Sequence, residues 1–447
     1  MLGEHKISTT LFRNREEIFG EELSPTYQGG DLSCGEMKYP QNELYKYNPF
    51  GLSTIPVPQF YFENLQKIAK NCTSVDLQYP EFSGRKDLKE SFLQNFPEIK
   101  KYFKNMSINL NNILVTNGDL RAVSASIEAL CEPYDELIVF EPIYPFHLCR
   151  TILRKDICIH SVGMFHNKST DRFEIDFQAL SKALNPKCKL MIISNPNNPT
   201  GRIFSKEEFQ KIAECIKNFP NLTVLEDRAY FHTYCDGIDP IPFSVASPEN
   251  FKRTITTYSM GKFLNANGTR VGFIVSDADI IHKIAKTFPA DVHFTPQLDQ
   301  MIMRENLSSA TNPYMKYSNY YEFSRCDIVD RVNKVKKEFM LHGLKYLKWE
   351  GSYYLIMDIE GFRGKLHSKY LVDDDKRPIE ELDRAFCRAA FKEFKIGLIP
   401  LSNHYFGNVA YDNFVRISVN HNDEDLKFLC NSMKSLAQTC KIESLIL

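Results

Sequence analysis

With 447 residues the chain is long enough for two sizeable cores, and its 55 basic and 56 acidic side chains leave a formal net charge of only −1. Such a balance argues against nucleic-acid binding through bulk electrostatics and favours small-molecule chemistry. The 12 cysteines form no Cys-x-x-Cys pair, so neither a zinc site nor a disulfide framework is indicated, and no apolar run reaches the length of a membrane span. We therefore expect a soluble cytoplasmic protein with no membrane partner and no bound metal.

The first sixty residues are irregular and rich in glycine, proline and aromatic residues, so we expect them to drape over another domain. Helix and strand patterns alternate from about residue 60. Five apolar runs predict buried strands, namely NILV, DELIVF, KLMII, LTVLE and TITTY, among segments of helical periodicity. Ser205 and Glu208 have the spacing of a capping box, which predicts the start of one of these helices.

Beyond residue 300 the periodicity is mainly helical and then gives way to short strands and a closing helix. We therefore predict an α/β fold whose large domain, residues 60–318, has a mostly parallel mixed sheet flanked by helices. A smaller α+β domain is formed by part of the N-terminal arm, residues 1–59, and by the C-terminal part, residues 319–447. The segment 361–380 is charged and unpatterned, which predicts a surface loop.

Residues that could carry chemistry follow the predicted strands, at the edge where ligands bind in an open α/β sheet. They are Asp119 and Leu120 in a glycine turn that opens a helix, Tyr144, Asn198, Asp227, Tyr230, Ser259 and Lys262. Each has an ordinary structural explanation: the aromatic ring as packing, the carboxylate as a cap and the lysine as a solvated charge. Together they offer an anion site, a stacking ring, a carboxylate, hydrogen-bonding groups and an amine, which suits a phosphorylated aromatic aldehyde.

The motifs SNPNNPTG, DRAY, SMGK and GTRVGF occur in this order, and the set resembles the class I/II aminotransferases, which are pyridoxal-phosphate (PLP) enzymes of fold type I. The resemblance extends from about Tyr79 to Arg416. It implies that Lys262 forms a Schiff base with the cofactor aldehyde. It also implies that Asp227 keeps the pyridine nitrogen protonated and that Tyr144 stacks on the ring.

The resemblance also assigns the remaining contacts of the cofactor. Asn198 and Tyr230 are expected to hydrogen-bond its phenolic oxygen. The phosphate is expected to be held by Ser259, Arg270 and the N–H groups around Asp119 and Leu120.

Two further matches concern the substrate and a second subunit. Arg416 and Asn198 are expected to bind the substrate α-carboxylate, although an isolated strand arginine would be expected to pair with a surface carboxylate. Tyr79 matches a tyrosine that reaches the phosphate of the neighbouring subunit's cofactor, which implies a homodimer with shared active sites.

Two residues depart from the family pattern. Gly261 replaces the serine often found directly before the lysine, while Ser259 remains in place. Asp119 puts a carboxylate where small residues are usual, near a dianionic phosphate. We expect this side chain to cap the helix and point away from the phosphate.

Other functions fit parts of the pattern. Ser259 and Lys262 match the S-x-x-K motif of penicillin-binding hydrolases, but the S-D-N and K-T-G elements that complete that site do not occur in the sequence. A non-catalytic binding protein on this fold would be expected to lose Lys262 or Asp227. PLP-dependent decarboxylases, β- or γ-lyases, cyclising synthases and oxidases can keep the same residues, so they remain alternatives to transamination.

Fewer features of the sequence indicate which side chain the substrate carries. The SNPNNPTG form and the strand GSYYLIMD leading to IGLIPLSNHYF are most similar to the branch that includes kynurenine and glutamine transaminases. Residues 288–298 lack an arginine where dicarboxylate-specific relatives often have one. A neutral or aromatic side chain is therefore favoured.

Overall fold

The computed structural model describes residues 9–10, 46–47, 49, 55–148, 156–290, 294–373, 376–406 and 411–442. Its strands are β1 (Thr9–Thr10), β2 (Ile113–Thr116), β3 (Glu136–Glu141), β4 (Cys158–Asn167), β5 (Arg172–Ile175), β6 (Cys188–Ser194), β7 (Thr223–Asp227), β8 (Thr254–Ser259), β9 (Gly272–Val275), β10 (Lys345–Tyr346), β11 (Tyr354–Asp358), β12 (Ile399–Pro400) and β13 (Phe414–Ser418). Its α-helices are α1 (Gln59–Asn71), α2 (Lys86–Asn95), α3 (Pro97–Tyr102), α4 (Asp119–Leu130), α5 (Phe177–Ala183), α6 (Lys206–Cys215), α7 (Phe243–Ala246), α8 (Met260–Phe263), α9 (Ala278–Ala285), α10 (Gln297–Ser309), α11 (Tyr320–Leu341), α12 (Leu382–Phe394) and α13 (Asp423–Thr439). None of the described helices is both long and apolar enough to cross a membrane.

The large sheet has the strand order β1-β4-β3-β6-β7-β8-β9-β2, and β5 pairs with β4. The neighbours from β4 to β8 in this row are parallel, whereas β9 runs antiparallel to both β8 and β2. Strand β2 therefore points the same way as β8, and the carboxyl ends of β2, β3, β6, β7 and β8 lie at one edge. The predicted α/β fold is confirmed, and the five predicted strand ends share this edge.

Helices cover both faces of the large sheet. Met191 of β6 packs with Phe209 and Ile212 of α6 on one face, whereas its neighbour Ile192 belongs with Val123 of α4 to the core on the other. Successive residues face opposite sides because the side-chain period of a strand is two. Burial on both sides explains why the central strands are continuous apolar runs in the sequence.

The second sheet has the order β10-β11-β13-β12 and is antiparallel throughout. Helices α11, α12 and α13 pack with it around one core that includes Val332, Phe386 and Leu429. Tyr47 joins this core and forms an isolated bridge with Ile396, so a segment early in the chain is part of this layer. Most of the predicted arm lies outside the described residues, and the bounds at residues 60 and 319 stay predictions.

Local signals predict some elements better than others. Helix α6 begins at the capping box, because Ser205 Oγ accepts the Glu208 N–H and the Glu208 carboxylate accepts the Ser205 N–H. The strand predicted from IGLIPL is only the two residues of β12, since a 3-10 turn starts directly afterwards at Leu401–His404. The apolar spacing of PFHLCRTILRK in the sequence predicts a helix. Its described part has a 3-10 turn at Pro145–His147, and residues 149–155 lie outside the described part of the chain.

The predicted surface loop 361–380 contains no α-helix in its described part, but it is not wholly solvated. Phe362, Leu366 and Tyr370 are buried in the core of the second sheet. Arg363 and Lys365 between them are exposed. Apolar side chains spaced four residues apart therefore anchor a loop whose charged residues face solvent.

Candidate active site

The candidate active site lies at the edge of the large sheet where the five carboxyl ends meet. Asp227 is the last residue of β7, and Asn198 lies in the turn after β6. Lys262 lies in the single-turn helix α8, directly after β8. Because β6, β7 and β8 are adjacent in the sheet, these three residues stand at neighbouring strand ends.

Asp227 is an ionised carboxylate held in the protein interior. His147 Nε2 lies 2.8 Å from its Oδ2, and the N–H of Ala229 donates to its Oδ1 at 2.8 Å. Burial alone would raise the pKa of Asp227, but the hydrogen bonds from His147 and Ala229 outweigh it and hold the pKa below its usual range. A fixed negative charge results. No motif marked His147, which follows Tyr144 by three residues.

Asp119 does not cap its helix, contrary to the prediction. The N-cap of α4 is Gly118, which has a φ of 77° and no side chain, and Asp119 is the first helical residue. The Asp119 carboxyl lies against Asp227, and its buried Oδ1 has no hydrogen-bond partner among the described residues. Burial and the charge of Asp227 raise the pKa of Asp119 well above its usual range. The two carboxyls therefore titrate as a coupled pair, in which the pKa of Asp227 is lowered and that of Asp119 is raised.

The predicted phosphate site lies at the N-terminus of α4. Arg270 lies against Gly118, since a Cβ on that glycine would overlap Nη2 and come within 2.6 Å of Cζ. The register places Ser259 opposite Gly272, and Gly272 opposite the last residue of β2. The first N–H groups of α4, including that of Leu120, have no acceptor within the helix. A guanidinium, a serine and free N–H groups are thus neighbours, which suits a phosphate.

Lys262 is half-buried, unlike a solvated surface lysine. Its backbone carbonyl accepts a hydrogen bond from the Tyr353 hydroxyl at 2.5 Å, and that hydroxyl lies 2.9 Å from His232 Nε2. Burial lowers the pKa of His232 to about 3, so this imidazole is neutral. The turn that bears Lys262 is therefore held through its backbone by a chain of uncharged groups.

Arg416 of β13 is buried, with 4% of its surface exposed. Its Nη1 donates to Oδ1 of Asn198 at 2.8 Å, and its Nη2 donates to the carbonyl of Pro49 at 3.2 Å. Its Nε is buried without a hydrogen-bond partner in the described part of the chain. These contacts go to an amide and a carbonyl, so the alternative of a surface ion pair is wrong. A buried cation held by neutral groups favours an anionic ligand.

Tyr354, which lies in the strand GSYYLIMD but is not among the predicted site residues, lies between these groups. Its ring centroid is 3.9 Å from Cζ of Arg416, and its hydroxyl is 3.0 Å from the hydroxyl of Tyr230. Burial would raise the pKa of this phenol, but the charges of Arg416 and Lys262 outweigh it and lower the pKa of Tyr354. Burial and the neighbouring Tyr354 raise the pKa of Tyr230.

The two other predicted tyrosines occupy different surroundings. Tyr144 lies edge-on to His147, with ring centroids 5.3 Å apart, which puts it beside the partner of Asp227. Tyr79 is 85% exposed, and the centroid of its ring lies 5.4 Å from that of Phe294. The structure thus gathers the predicted site residues of one chain except Tyr79, which stands on the surface.

A separate group of metal-ligating side chains lies at the opposite edge of the large sheet. Glu136, His160 and Cys188 have ligand atoms within 4.8 Å of one another. The Glu136 carboxylate already contacts His160 Nε2 and Asn185 Nδ2, both at 2.5 Å. These contacts explain the group as a hydrogen-bonded cluster at the start of β3.

Residues 50–433 match the family model described as aminotransferase class I and II. The chain is 26% identical over 402 residues to the Saccharomyces cerevisiae protein named "Probable kynurenine–oxoglutarate transaminase BNA3". The match covers 86% of this chain and 85% of the relative. It is 26% identical over 377 residues to human kynurenine–oxoglutarate transaminase 1, covering 82% and 86%. The crystal structure of Bna3p from S. cerevisiae is similar, with a TM-score of 0.79 at 24% identity, covering 88% of this chain and 91% of that one.

Proposed function

The chain belongs to the aminotransferase class I and II family, whose members are PLP-dependent enzymes, and on that premise we propose that it moves an amino group from an L-amino acid with a neutral or aromatic side chain to a 2-keto acid. One observation supports this reaction above the others. The buried guanidinium of Arg416 is held by Asn198 and Pro49 and by no carboxylate among the described residues. It lies beside Tyr354, and the charge of Lys262 also lowers the pKa of that phenol. An anion site for the substrate thus stands next to the reactive amine.

The side chains present fit PLP. Arg270 lies against a glycine turn at a helix N-terminus, and Asp227 is an anion whose carboxylate has lone pairs left to accept another hydrogen bond. The residues that would hold PLP are Asp227 at the ring nitrogen, Asn198 and Tyr230 at the phenolic oxygen, Tyr144 on the ring face, Lys262 at the aldehyde, and Ser259, Arg270 and the N–H groups of Asp119 and Leu120 at the phosphate.

Asp227 would set the charge at the ring nitrogen. When bound, PLP supplies a conjugated ring that accepts the electron pair left at the substrate Cα. An ionised Asp227, stabilised by His147 and the Ala229 N–H, would keep a proton on the ring nitrogen. The raised pKa of Asp119 favours a proton on that carboxyl, and the carboxyl pair would then present one negative charge to the ring nitrogen.

Lys262 would bind the cofactor at rest and act on the substrate proton during the reaction. Its amine, once displaced by the substrate amine, could take the proton from Cα and return it across the substrate nitrogen, to the former aldehyde carbon of the cofactor. Tyr353 holds the backbone of that turn through the Lys262 carbonyl, so the side chain of Lys262 moves while its backbone stays in place.

Arg416 would orient the substrate. Its planar guanidinium can bind a carboxylate through two parallel hydrogen bonds, and its Nε, which has no partner among the residues that the structure describes, is one of the donors. Asn198 fixes the other side of the guanidinium through Nη1. The names of the yeast and human relatives support an aromatic amino acid as donor and 2-oxoglutarate as acceptor.

A homodimer is proposed from the position of Tyr79. This residue is 85% exposed, and the neighbouring Val75 and Leu77 are 73% and 62% exposed. Apolar side chains of this kind are expected to lie in an interface, where Tyr79 could reach the cofactor of a second copy. The cytoplasmic location stays a prediction of the sequence.

The first experiment is an absorbance spectrum of the purified protein with added PLP. We expect a visible or near-ultraviolet band that is lost in Lys262→Ala while circular dichroism stays unchanged. A wild-type protein that takes up no PLP would overturn the assignment.

The second experiment feeds a panel of amino acids to the loaded enzyme, with 2-oxoglutarate as acceptor. Keto acid and new amino acid formed in equal amounts would support transamination. Carbon dioxide, ammonia or peroxide as the main product would instead identify a decarboxylase, lyase or oxidase and would contradict the proposed reaction.

A further inference from the structure

Tyr354 is the first residue of β11 and the only described side chain whose ring faces Arg416 while its hydroxyl contacts Tyr230. We propose that Tyr354 is a positioning residue that couples the substrate carboxylate site to the hydroxyl of Tyr230. This inference rests on the proposed function, because it assigns Arg416 to the substrate and Tyr230 to the cofactor ring oxygen.

The ring of Tyr354 supports the guanidinium. Cζ of Arg416 stands 3.9 Å from the ring centroid, within the range of a cation–π contact, and the site is desolvated. The hydrogen bond to Asn198 fixes the guanidinium from one edge, and the ring fixes it from one face. Arg416 is therefore held in place before a carboxylate arrives, which lowers the entropic cost of binding.

The hydroxyl of Tyr354 competes for the proton of Tyr230. Each phenol has one proton to donate, and the two oxygens are 3.0 Å apart. Because the pKa of Tyr354 is lowered and that of Tyr230 is raised, Tyr354 is the phenol of the pair that ionises first, and Tyr230 then donates to its phenolate. In that arrangement the Tyr230 proton is not available to the cofactor ring oxygen.

Binding of a carboxylate would reverse this hydrogen bond. The charged and titratable groups that face Tyr354 are Arg416 from β13, Lys262 from α8, Tyr230 from the turn after β7 and Tyr353 next to it in the chain. A carboxylate on Arg416 cancels part of the positive charge that favours the Tyr354 phenolate. Tyr354 then keeps its proton and donates to Tyr230, and the proton of Tyr230 is freed for the ring oxygen.

The test uses Tyr354→Phe, which removes only the hydroxyl, and Tyr354→Leu, which also removes the ring. Tyr321→Phe is the matched control, since its buried hydroxyl has no hydrogen-bond partner among the described residues. Circular dichroism and thermal unfolding check the fold of each variant, and the Tyr354→Phe result stands even where Tyr354→Leu does not fold.

The first readout needs no turnover. In cofactor-free protein, the near-ultraviolet absorbance of phenolate is followed against pH, with and without maleate as an unreactive carboxylate. We expect wild type and Tyr321→Phe to show a tyrosine that ionises below the usual range and shifts upward with maleate. Tyr354→Phe should lose this transition. A transition that persists in Tyr354→Phe, or that ignores maleate, would overturn the coupling even if transamination itself is confirmed.

The second readout is steady-state kinetics. We expect Tyr354→Phe to keep KM for the amino acid within about twofold while the pH profile of kcat shifts, because the ring remains and the hydroxyl is gone. Tyr354→Leu should raise KM about tenfold, in the range of a desolvated cation–π contact. An unchanged pH profile in the first variant, or an unchanged KM in the second, would refute the corresponding role.

Discussion

The proposed cofactor end and the proposed substrate end of the candidate site are built in different ways. At the cofactor end, Asp227, Lys262 and the Gly118 turn all follow strands of one sheet, so strand order alone makes them neighbours. At the substrate end, Arg416 bonds Asn198 across 218 residues of sequence, and Tyr354 bonds Tyr230 across 124. The first end depends on the topology of the large sheet, whereas the second depends on how the second sheet packs against it.

The two ends also carry opposite charges. Asp227 is an anion stabilised by His147 and a backbone N–H, while Arg416 is a buried cation held by an amide and a carbonyl. An ionised carboxylate suits a protonated ring nitrogen, and a buried guanidinium held by neutral groups suits a substrate carboxylate. Perturbing one end should therefore change cofactor chemistry, and perturbing the other should change substrate affinity.

The largest effect is expected from Lys262→Ala at the cofactor end. Removing the amine deletes both the covalent anchor and the proton carrier, so the rate of keto-acid formation should fall by on the order of 10³-fold or more. Lys252→Ala, an exposed lysine on the same segment, is the control and should keep the wild-type rate. A Lys262→Ala rate within tenfold of wild type would break the assignment of this end.

Asp227→Asn should have the next largest effect. The amide cannot hold a proton on the ring nitrogen, and kcat should fall by about 10²- to 10³-fold, as for other fixed charges aimed at a reacting group. Equilibrium dialysis should show weaker retention of PLP. Asp279→Asn, at an exposed helix start, serves as the control. An unchanged kcat would mean that the carboxylate does not face the ring.

Arg416→Lys separates the two ends. An ammonium cannot keep its contact with Asn198 and still offer a planar fork to a carboxylate, so KM for the amino acid should rise about 10- to 100-fold. The absorbance of bound PLP should stay as in wild type. Arg363→Lys, in a surface ion pair, should change neither quantity. Loss of the PLP band without a change in KM would reverse the roles given to the two ends.

Asp383→Asn should have the smallest effect, on stability alone. Asp383 of α12 accepts the N–H of Ser402, in the turn whose His404 bonds Ile143 next to the active-site loop. Burial raises the pKa of Asp383 from 3.8 to about 7. The folded protein thus binds this proton more tightly than the unfolded chain, and this carboxyl's contribution is fully present below pH 3.8 and declines until about pH 7.

Thermal unfolding between pH 5 and 8.5 measures this decline, which should approach about 1.4 kcal/mol per pH unit inside the window. In Asp383→Asn the free energy of unfolding should decline with pH less steeply, by about 1.4 kcal/mol per pH unit inside this window. Identical pH dependence in the two proteins would show that the Asp383 carboxyl does not titrate with folding in this range.

The sequence marks residues at both ends of the site and leaves one contact residue at each end unmarked, for a physical reason. Asn198, Asp227 and Lys262 stand in turns at strand ends, where a short motif fixes the backbone locally. His147 lies outside these motifs, and the strand GSYYLIMD gives Tyr354 no role of its own. Only the packed structure shows that these two residues contact Asp227 and Arg416. Spatial contacts of this kind have no sequence signature in a single chain.

The prediction that Asp119 caps its helix is wrong for a local reason. An aspartate at the start of a helix usually serves as the N-cap, but here the cap position is Gly118, whose positive φ a glycine adopts without strain. The helix begins at Asp119, one residue earlier than a capping aspartate at that position requires. The Asp119 carboxyl is thereby directed at Asp227.

The most direct measurement locates the lysine that bonds the cofactor. The protein loaded with PLP is reduced with borohydride, digested with protease and analysed by mass spectrometry. We predict one pyridoxyl group per chain, on the peptide that contains Lys262, and none when Asp227→Asn and Lys262→Ala are combined. A pyridoxyl group found mainly on another lysine, or on no lysine, would contradict the account.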